Sequence, residues 1–100
     1  MMKKDIFNYL GLMQRSRNLI TGQDLVLKSV RSKKARIVLI ATDIGESSKK
    51  KINDKCSYYE VPIFEIGEKQ EISKAIGQDR SVIATQNEGF AKSLITKLKK

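Results

Sequence analysis

The chain of 100 residues is 40% apolar and 31% charged, a composition typical of one folded domain and not of a disordered segment. Its 20 lysines and arginines outnumber 11 acidic residues, which gives a formal net charge of +9 and favours a polyanionic partner. No apolar run is long enough to span a membrane, the opening MMKKDIFNYL lacks a signal-peptide core, and a single cysteine, Cys56, excludes an internal disulfide. We therefore expect one cytoplasmic domain over residues 1–100, with no membrane partner.

Hydrophobic periodicity predicts helices and strands in alternation. The first helix, over residues 3–17, places Ile6, Leu10 and Met13 on one face. In chain order there follow a strand over 18–20, a helix over 22–32, a strand over 35–41, a helix over 46–59, a strand over 61–66, a helix over 68–77, a strand over 81–85 and a helix over 87–100. The β-branched run in ARIVLIA (35–41) is typical of a strand that is covered on both faces.

This alternation, which begins and ends on a helix, predicts the fold class. Helices on both sides of one sheet bury the apolar faces of both kinds of element. We expect an α/β protein, a three-layer α/β/α sandwich around a mixed, four-stranded sheet. The two middle strands of the chain are expected to be buried, and the first strand to be short and peripheral.

Several catalytic chemistries are missing from the sequence. There is no histidine, so no thiolate–imidazole pair is available, and no spacing of Cys, Asp or Glu resembles a metal site. The two common glycine-rich nucleotide-phosphate motifs are also absent. We expect a protein that is not an enzyme and that needs no cofactor and no metal.

The positive charge is concentrated early in the chain, where a short break, Thr21-Gly22, precedes a helix. Residues 1–59 hold 13 basic and 5 acidic residues, a balance of +8, whereas residues 60–100 hold 7 and 6, a balance of +1. Thr21 is expected to be the N-cap, completed by Asp24, so that the helix starts at Gly22. Its first amides, with Lys28 and Arg31 on the following turns, would form a site for a phosphate or a base edge. The plainer alternative is a capped helix with a surface Asp24–Lys28 ion pair.

Three stretches carry a resemblance to a known family: RNLITGQDLVLKSVRSKKARIVLIATD, KKINDKCSYYEVPIF and AIGQDRSVIATQNEGFAKSL. They resemble the kink-turn RNA-binding ribosomal-protein family, which includes the archaeal and eukaryal large-subunit proteins seven-Ae and thirty-e. DKCSYYEVP and EGFAKSL are similar to its YlxQ-like bacterial subgroup in particular. The resemblance covers nearly the whole chain and implies an α/β/α fold that binds RNA.

The resemblance also implies where the RNA is held, between the helix after the first strand and the loop after the third. In GQDLVLK, Gly22 and Lys28 match the family, whereas Asp24 and Leu25 stand where members carry the Asn-Glu pair that reads sheared guanine–adenine pairs. In the loop after the third strand, Ile66 and Gly67 match an apolar and a small residue that pack on a flipped-out nucleotide in the family.

Further cations are predicted to reach phosphates. Arg15 and Arg17 precede the first strand, and Lys33, Lys34 and Arg36 follow the second helix. The predicted RNA-binding residues are Thr21, Gly22, Gln23, Asp24, Leu25, Lys28, Arg31, Lys33, Lys34, Ile66 and Gly67.

The function that we expect is non-catalytic binding of structured RNA, of the kink-turn or internal-loop type. Recognition at such loops depends on shape and splayed bases, which a helix end and a loop can supply. The resemblance implies a ribosomal or ribonucleoprotein association, with ribosomal RNA among the candidate partners, and we expect a monomer when free. The alternative is a protein–protein interaction module of the same fold with only non-specific RNA affinity; an exposed apolar patch around Leu25 and Ile66 would favour it. A small-molecule enzyme would instead need a deep pocket with converging polar groups.

Overall fold

The computed structural model describes residues 2–99, and the side chains of residues 4–99. It contains five helices and four strands in the predicted order, with small shifts at their ends: α1 (Met2–Arg15), β1 (Ile20–Thr21), α2 (Gln23–Arg31), β2 (Ile37–Ala41), α3 (Glu46–Tyr58), β3 (Ile63–Gly67), α4 (Lys69–Ile76), β4 (Val82–Thr85) and α5 (Glu88–Leu98). Lys100, the predicted last residue of the final helix, lies outside the described residues. No helix within residues 2–99 is long and apolar enough to cross a membrane.

The sheet is mixed, as expected, with the strand order β1-β4-β2-β3. β2 runs parallel to β3 and antiparallel to β4, and β4 is antiparallel to β1. β4 therefore lies between the first two strands, and this position decides which strands are covered. Every residue of β2 and β4 is buried, whereas the edge strand β3 is half-buried at Ile63 and exposed at Glu65. The prediction of a buried strand is confirmed for β2 and wrong for β3, because β4 occupies the other central place.

Two hydrophobic cores, one on each side of the sheet, complete the three-layer sandwich. Alternate residues of β2 point to opposite faces, as the strand period of two requires. Leu39 packs in the core formed with α1, α4 and α5, while Val38 and Ile40 pack in the core formed with α2 and α3. The predicted stripe of α3 is confirmed, since Ile52 and Cys56 are buried in the second core and Tyr59 packs against it.

The C-terminal ends of β1, β2 and β3 and the N-terminal end of β4 lie together at one end of the sheet, which we call the upper edge. The amide of Gly22, after β1, donates to the carbonyl of Val82 at the start of β4. The amide of Ala41, at the end of β2, donates to the carbonyl of Ser81, and the amide of Thr42 donates to the carbonyl of Gly67, at the end of β3. The upper edge therefore carries both predicted RNA contacts, the start of α2 and the end of β3.

Candidate functional site

The start of α2 lies at one corner of the upper edge, and a glycine shapes it. Gly22 is the N-cap, with φ 94° and ψ 143°, a conformation that residues with a Cβ rarely adopt. The chain turns there from β1 directly into the helix, and the amide of Val26 donates to the Gly22 carbonyl to close the first helical turn at 3.0 Å. The prediction that Thr21 is the N-cap is wrong, because Thr21 is the last residue of β1. No side chain caps this helix in the described part of the chain, so the predicted capping role of Asp24 is also wrong.

The hydroxyl of Thr21 instead joins the end of β1 to the loop between α4 and β4. It donates to Gln78 Oε1 at 3.3 Å and accepts from Arg80 Nε at 3.3 Å. The same loop is held on its other side by Ser73 of α4, whose Oγ accepts from the Arg80 amide at 3.0 Å and donates to the Arg80 carbonyl at 3.1 Å. The guanidinium of Arg80 is thereby fixed beside the turn, with Nε 3.8 Å from the place that a Cβ on Gly22 would occupy. We call Gly22–Leu25 together with Gln78–Arg80 the tip.

The first amides of α2 are open donors. Gln23, Asp24 and Leu25 precede the first helical hydrogen bond, and within residues 2–99 their amides have no acceptor. Such amides carry the positive end of the helix dipole and hold anions or carbonyl groups well. By contrast, the Asn87 side chain accepts from the Phe90 amide at the start of α5, and a capping box of Glu68 and Glu71 closes the start of α4.

Lysine and arginine side chains extend from the tip along α2. Lys28 and Arg31 are exposed, and among the described residues neither forms an ion pair. In particular, no salt bridge joins Asp24 to Lys28, so the plainer alternative of an ion-paired helix surface does not hold. Lys33 and Lys34 follow the C-terminal end of α2, and both are exposed.

The other predicted cations are also exposed. Arg15 ends α1, Arg17 lies before β1, and Arg36 directly precedes β2, where its amide donates to the Thr85 carbonyl. Arg36 and Thr85 lie at the opposite edge of the sheet from Gly22. A molecule seated at the tip would therefore have to extend along the whole sheet to reach Arg36.

The structure does not bring Ile66 and Gly67 to the tip. Both lie on the upper edge but in β3, and β4 and β2 separate them from β1. Three strand spacings amount to roughly 14 Å. The Ile66 side chain is only 6% exposed and belongs to the core under α1 and α4, and Gly67 is buried too.

The surroundings of Ile66 are acidic, unlike those of Gly22. Glu65, Glu68 and Glu71 line the concavity beside it, together with Lys97. Glu65 is paired with Lys49 at 2.7 Å. The upper edge is therefore more cationic at α2, where Lys28, Arg31 and Arg80 accompany the carboxylates of Asp24 and Asp79, than at β3, where three glutamates accompany Lys49 and Lys97.

The predicted RNA-binding residues did not include the second segment of the tip, Gln78–Arg80. The signal was a polar loop, GQDR, which ends α4 at the cap Gly77 and leads into a central strand. Nothing local in that loop indicates that it lies beside residue 21, because the contact depends on β4 pairing with β1. The apolar patch that would favour a protein-interaction module is only half present, because Leu25 is 59% exposed while Ile66 is buried.

The described residues offer little else of chemical interest. No group of three or more Cys, Asp or Glu side chains in residues 4–99 is arranged to hold a metal ion. The thiol of Cys56 is fully buried, and this burial raises its pKa from 9.0 to about 11, so it is held protonated inside the second core.

Comparisons with known proteins agree with this architecture. Residues 4–95 match the family described as ribosomal protein L7Ae/L30e/S12e/Gadd45. The chain is 44% identical over 90 residues to a protein named RNA-binding protein YlxQ from Enterococcus faecium, covering 90% of this chain and 87% of the relative. It is 39% identical over 93 residues to the protein of that name from Bacillus subtilis (strain 168), covering 92% and 93%.

Two solved structures have a fold similar to that of this chain. A protein of unknown function from Bacillus halodurans superposes with a TM-score of 0.91 at 34% identity, over 95% of this chain and 97% of the other. A 15.5 kD RNA binding protein from Giardia lamblia superposes with a TM-score of 0.80 over 98% and 88%; at 19% identity this likeness concerns the fold alone.

Proposed function

Because this chain belongs to the ribosomal protein L7Ae/L30e/S12e/Gadd45 family, we propose that it is a non-catalytic RNA-binding protein that uses the tip to hold an internal loop of the kink-turn type. The names of the relatives from Enterococcus faecium and Bacillus subtilis support RNA as the partner. The RNA belongs to the ribosome or to another ribonucleoprotein of the translation apparatus, in the cytoplasm, and the protein is a monomer when free.

One observation carries the proposal, the row of open amides at the start of α2 between Arg80 and Lys28. α3 also begins after a glycine, Gly45, without a side-chain cap, but its first residue is Glu46. At that end of α3, Lys49 is neutralised by Glu65. At α2 the open amides have Arg80 beside them, hydrogen-bonded to Thr21, and Lys28 on the next turn, and neither cation has an acidic partner in the described part of the chain. This combination suits a phosphate or the oxygen atoms of a base edge.

The two departures from the family pattern change what the tip can read. Asp24 is exposed, and its carboxylate accepts hydrogen bonds from base N–H groups but donates none. Leu25 offers no hydrogen bond, and its exposed side chain gives only apolar contact. Shape and backbone contacts therefore supply a larger share of the binding than base reading does, and the preference among internal-loop sequences is broad.

The second contact with RNA comes from Gln78 and Arg80 and not from Ile66 and Gly67. Thr21 donates to Gln78 and accepts from Arg80, and these hydrogen bonds hold both residues against the start of α2. Ile66, in contrast, is buried, and with Glu65 paired to Lys49 the concavity beside it still holds Glu68 and Glu71 against one lysine, Lys97, a surface that attracts phosphate less. Arg80 also presents a planar guanidinium, which can bind phosphate through two parallel hydrogen bonds or stack on a base.

The experiment that tests the proposal compares two RNAs of equal length, a kink-turn and a straight duplex. Their affinities for the purified protein are measured at several salt concentrations. Because charge attraction acts on both RNAs alike, only the kink-turn should retain affinity as salt rises. Equal affinities throughout would reduce the protein to a non-specific polycation and refute the proposal.

Lys28 tests the location of the site. Lys28→Gln should weaken kink-turn binding and reduce the slope of log affinity against log salt by about 0.7–0.9. The matched control is Lys50→Gln, the same loss of charge at an exposed lysine of α3, the helix beside α2 on the same side of the sheet. Equal effects of the two substitutions would mean that charge acts at long range and not through contact at α2.

A further inference from the structure

A groove of about 410 Å³ runs along α2 beside the edge strand β1 and extends the surface of the tip beyond Leu25 and Lys28. Its volume lies within the range of about 300–1,000 Å³ that small-molecule pockets occupy. Leu19, Ile20 and Leu25 give it apolar walls, Lys28 and Lys34 line it with charge, and Thr21 joins it to the tip.

The charge of the groove has one sign. No acidic side chain of the described residues lines it, and neither lysine takes part in an ion pair there. The Lys34 backbone is fixed by its amide, which donates to the Ser29 carbonyl at 3.1 Å. Two ammonium groups on a short stretch of surface without a carboxylate match an anionic ligand.

The apolar walls are unusual for so charged a surface. Leu25 is 59% exposed, although α2 buries Val26, Leu27 and Val30 on its inner face. Leu19 and Ile20 are half-buried and pack at the margins of the two cores. Ile20 packs on the α2 side of the sheet and Leu19 on the other side, so Leu25 and Ile20 form the apolar surface beside the two cations. This pairing matches a group with one apolar face and one charged end.

The side of β1 that faces away from β4 offers main-chain hydrogen-bonding groups to the groove. Main-chain groups of a strand point alternately to its two sides. Since the Gly22 amide donates to Val82 in β4, the amide and carbonyl of Thr21 point away from β4 towards the open side of the sheet. A donor and an acceptor are thus adjacent at the end of the groove nearest the tip.

From this arrangement we propose that the groove takes one unpaired nucleotide of the RNA that is bound at the tip, an inference that rests on the proposed function. The base lies on Leu25 and Ile20, with its polar edge at the Thr21 main chain. Its phosphate lies between Lys28 and Lys34. A nucleotide fits better than a peptide, because the groove pairs an apolar surface with cations and continues a surface that already offers amides to RNA.

The test is a cycle of substitutions in RNA and protein, with the full chain and a kink-turn RNA as the probe. Each unpaired nucleotide of the internal loop is replaced in turn by an abasic residue, and affinity is measured for the unmodified protein and for Leu25→Ala. At one position the abasic change should weaken binding about tenfold, as expected for the loss of an apolar contact of this size. Leu25→Ala should weaken binding to the unmodified RNA to a similar extent, and the two changes together should cost no more than either one.

Two controls make this result specific to the groove. Leu12→Ala removes the same side chain from α1, where Leu12 is 46% exposed on the other side of the sheet, and should leave the affinity unchanged. Lys34→Gln should lower both the affinity and the salt slope, whereas Lys50→Gln should lower neither by as much.

The outcomes separate this inference from the proposed function. If the protein prefers the kink-turn to a duplex but no abasic position couples to Leu25, the groove does not hold a nucleotide and this inference is wrong while the tip remains. If kink-turn and duplex bind equally, both fail. If only a peptide competes for the groove, a protein partner takes the place of the nucleotide and the inference fails as well.

Discussion

Gly22→Ala is expected to lower the free energy of unfolding by about 1–3 kcal/mol, the cost of holding a residue with a Cβ in a conformation that is normally confined to glycine. The magnitude follows from the backbone and not from crowding. Gly22 has φ 94° and ψ 143°, whereas a Cβ there would lie 3.8 Å from Arg80 Nε, an ordinary contact distance. The new methyl group therefore has room, and only the torsional strain counts.

Urea unfolding followed by circular dichroism measures this cost, with thermal unfolding as a check. In a domain of this size each kcal/mol corresponds to about 4–8 °C in Tm. The matched control is Gly45→Ala, at the N-cap of α3. Gly45 has φ −60° and ψ 149°, and a Cβ there would have nothing within 4 Å. Alanine is a poorer N-cap than glycine but reduces the entropy of the unfolded chain, so the two effects offset and stability should change by less than about 1 kcal/mol. If both variants shift the unfolding midpoint equally, the strained turn at Gly22 does not exist and our account of the tip is wrong.

Four substitutions test the fold. Asn87→Ala removes the cap of α5, where the side chain accepts from the Phe90 amide at 2.9 Å, and should cost about 1 kcal/mol in urea unfolding. Leu94→Ala, at a position with no exposure, should cost about 2–5 kcal/mol, while Leu12→Ala should change stability by less than about 1 kcal/mol; similar losses would contradict the assigned core. Because burial raises the pKa of Cys56 to about 11, its stabilising effect should be complete below pH 9.0 and decline as pH rises from there towards 11, where the unfolded thiol ionises first. Cys56→Ala should lack that decline, and in the native protein at pH 8 the thiol should react with a disulfide reagent no faster than the chain unfolds.

The sequence predicted the elements well because its hydrophobic pattern is consistent with one role for each segment. The β-branched residues of β2 can be satisfied only by apolar neighbours on both faces, and the structure provides two cores for them. Gly77 shows the same agreement at the scale of one residue. It ends α4 with φ 75°, the left-handed conformation for which glycine is favoured, and its amide donates to the Ser73 carbonyl at 2.8 Å.

The order of the strands in the sheet could not be predicted from local sequence patterns. Which strand lies in the middle depends on pairing between segments that are far apart in the chain, and no short pattern encodes it. For that reason β3 was expected to be buried, and for the same reason the loop holding Gln78 and Arg80 was not placed beside Thr21.

The error at Thr21 has a different physical cause. Threonine is a good N-cap, and local propensity favoured it over the glycine that follows. The pairing of Thr21 with Ile83 keeps it in the strand, so the turn into α2 moves to Gly22. Because glycine has no side chain that can cap the helix, the amides of the first turn of α2 are left without an acceptor. The shift of the N-cap from Thr21 to Gly22 made the prediction wrong, and it also produces the open amides on which the proposed function depends.

The most direct test of RNA binding at the tip is a titration of the ¹⁵N-labelled protein with a kink-turn RNA, followed by NMR amide shifts. We predict that the largest changes are at Gly22–Leu25 and Gln78–Arg80, and that the amides of Glu65–Glu68 and of the exposed face of α3 change little. Shifts that centre on β3 or α3 and leave the Gly22 turn unaffected would contradict the account.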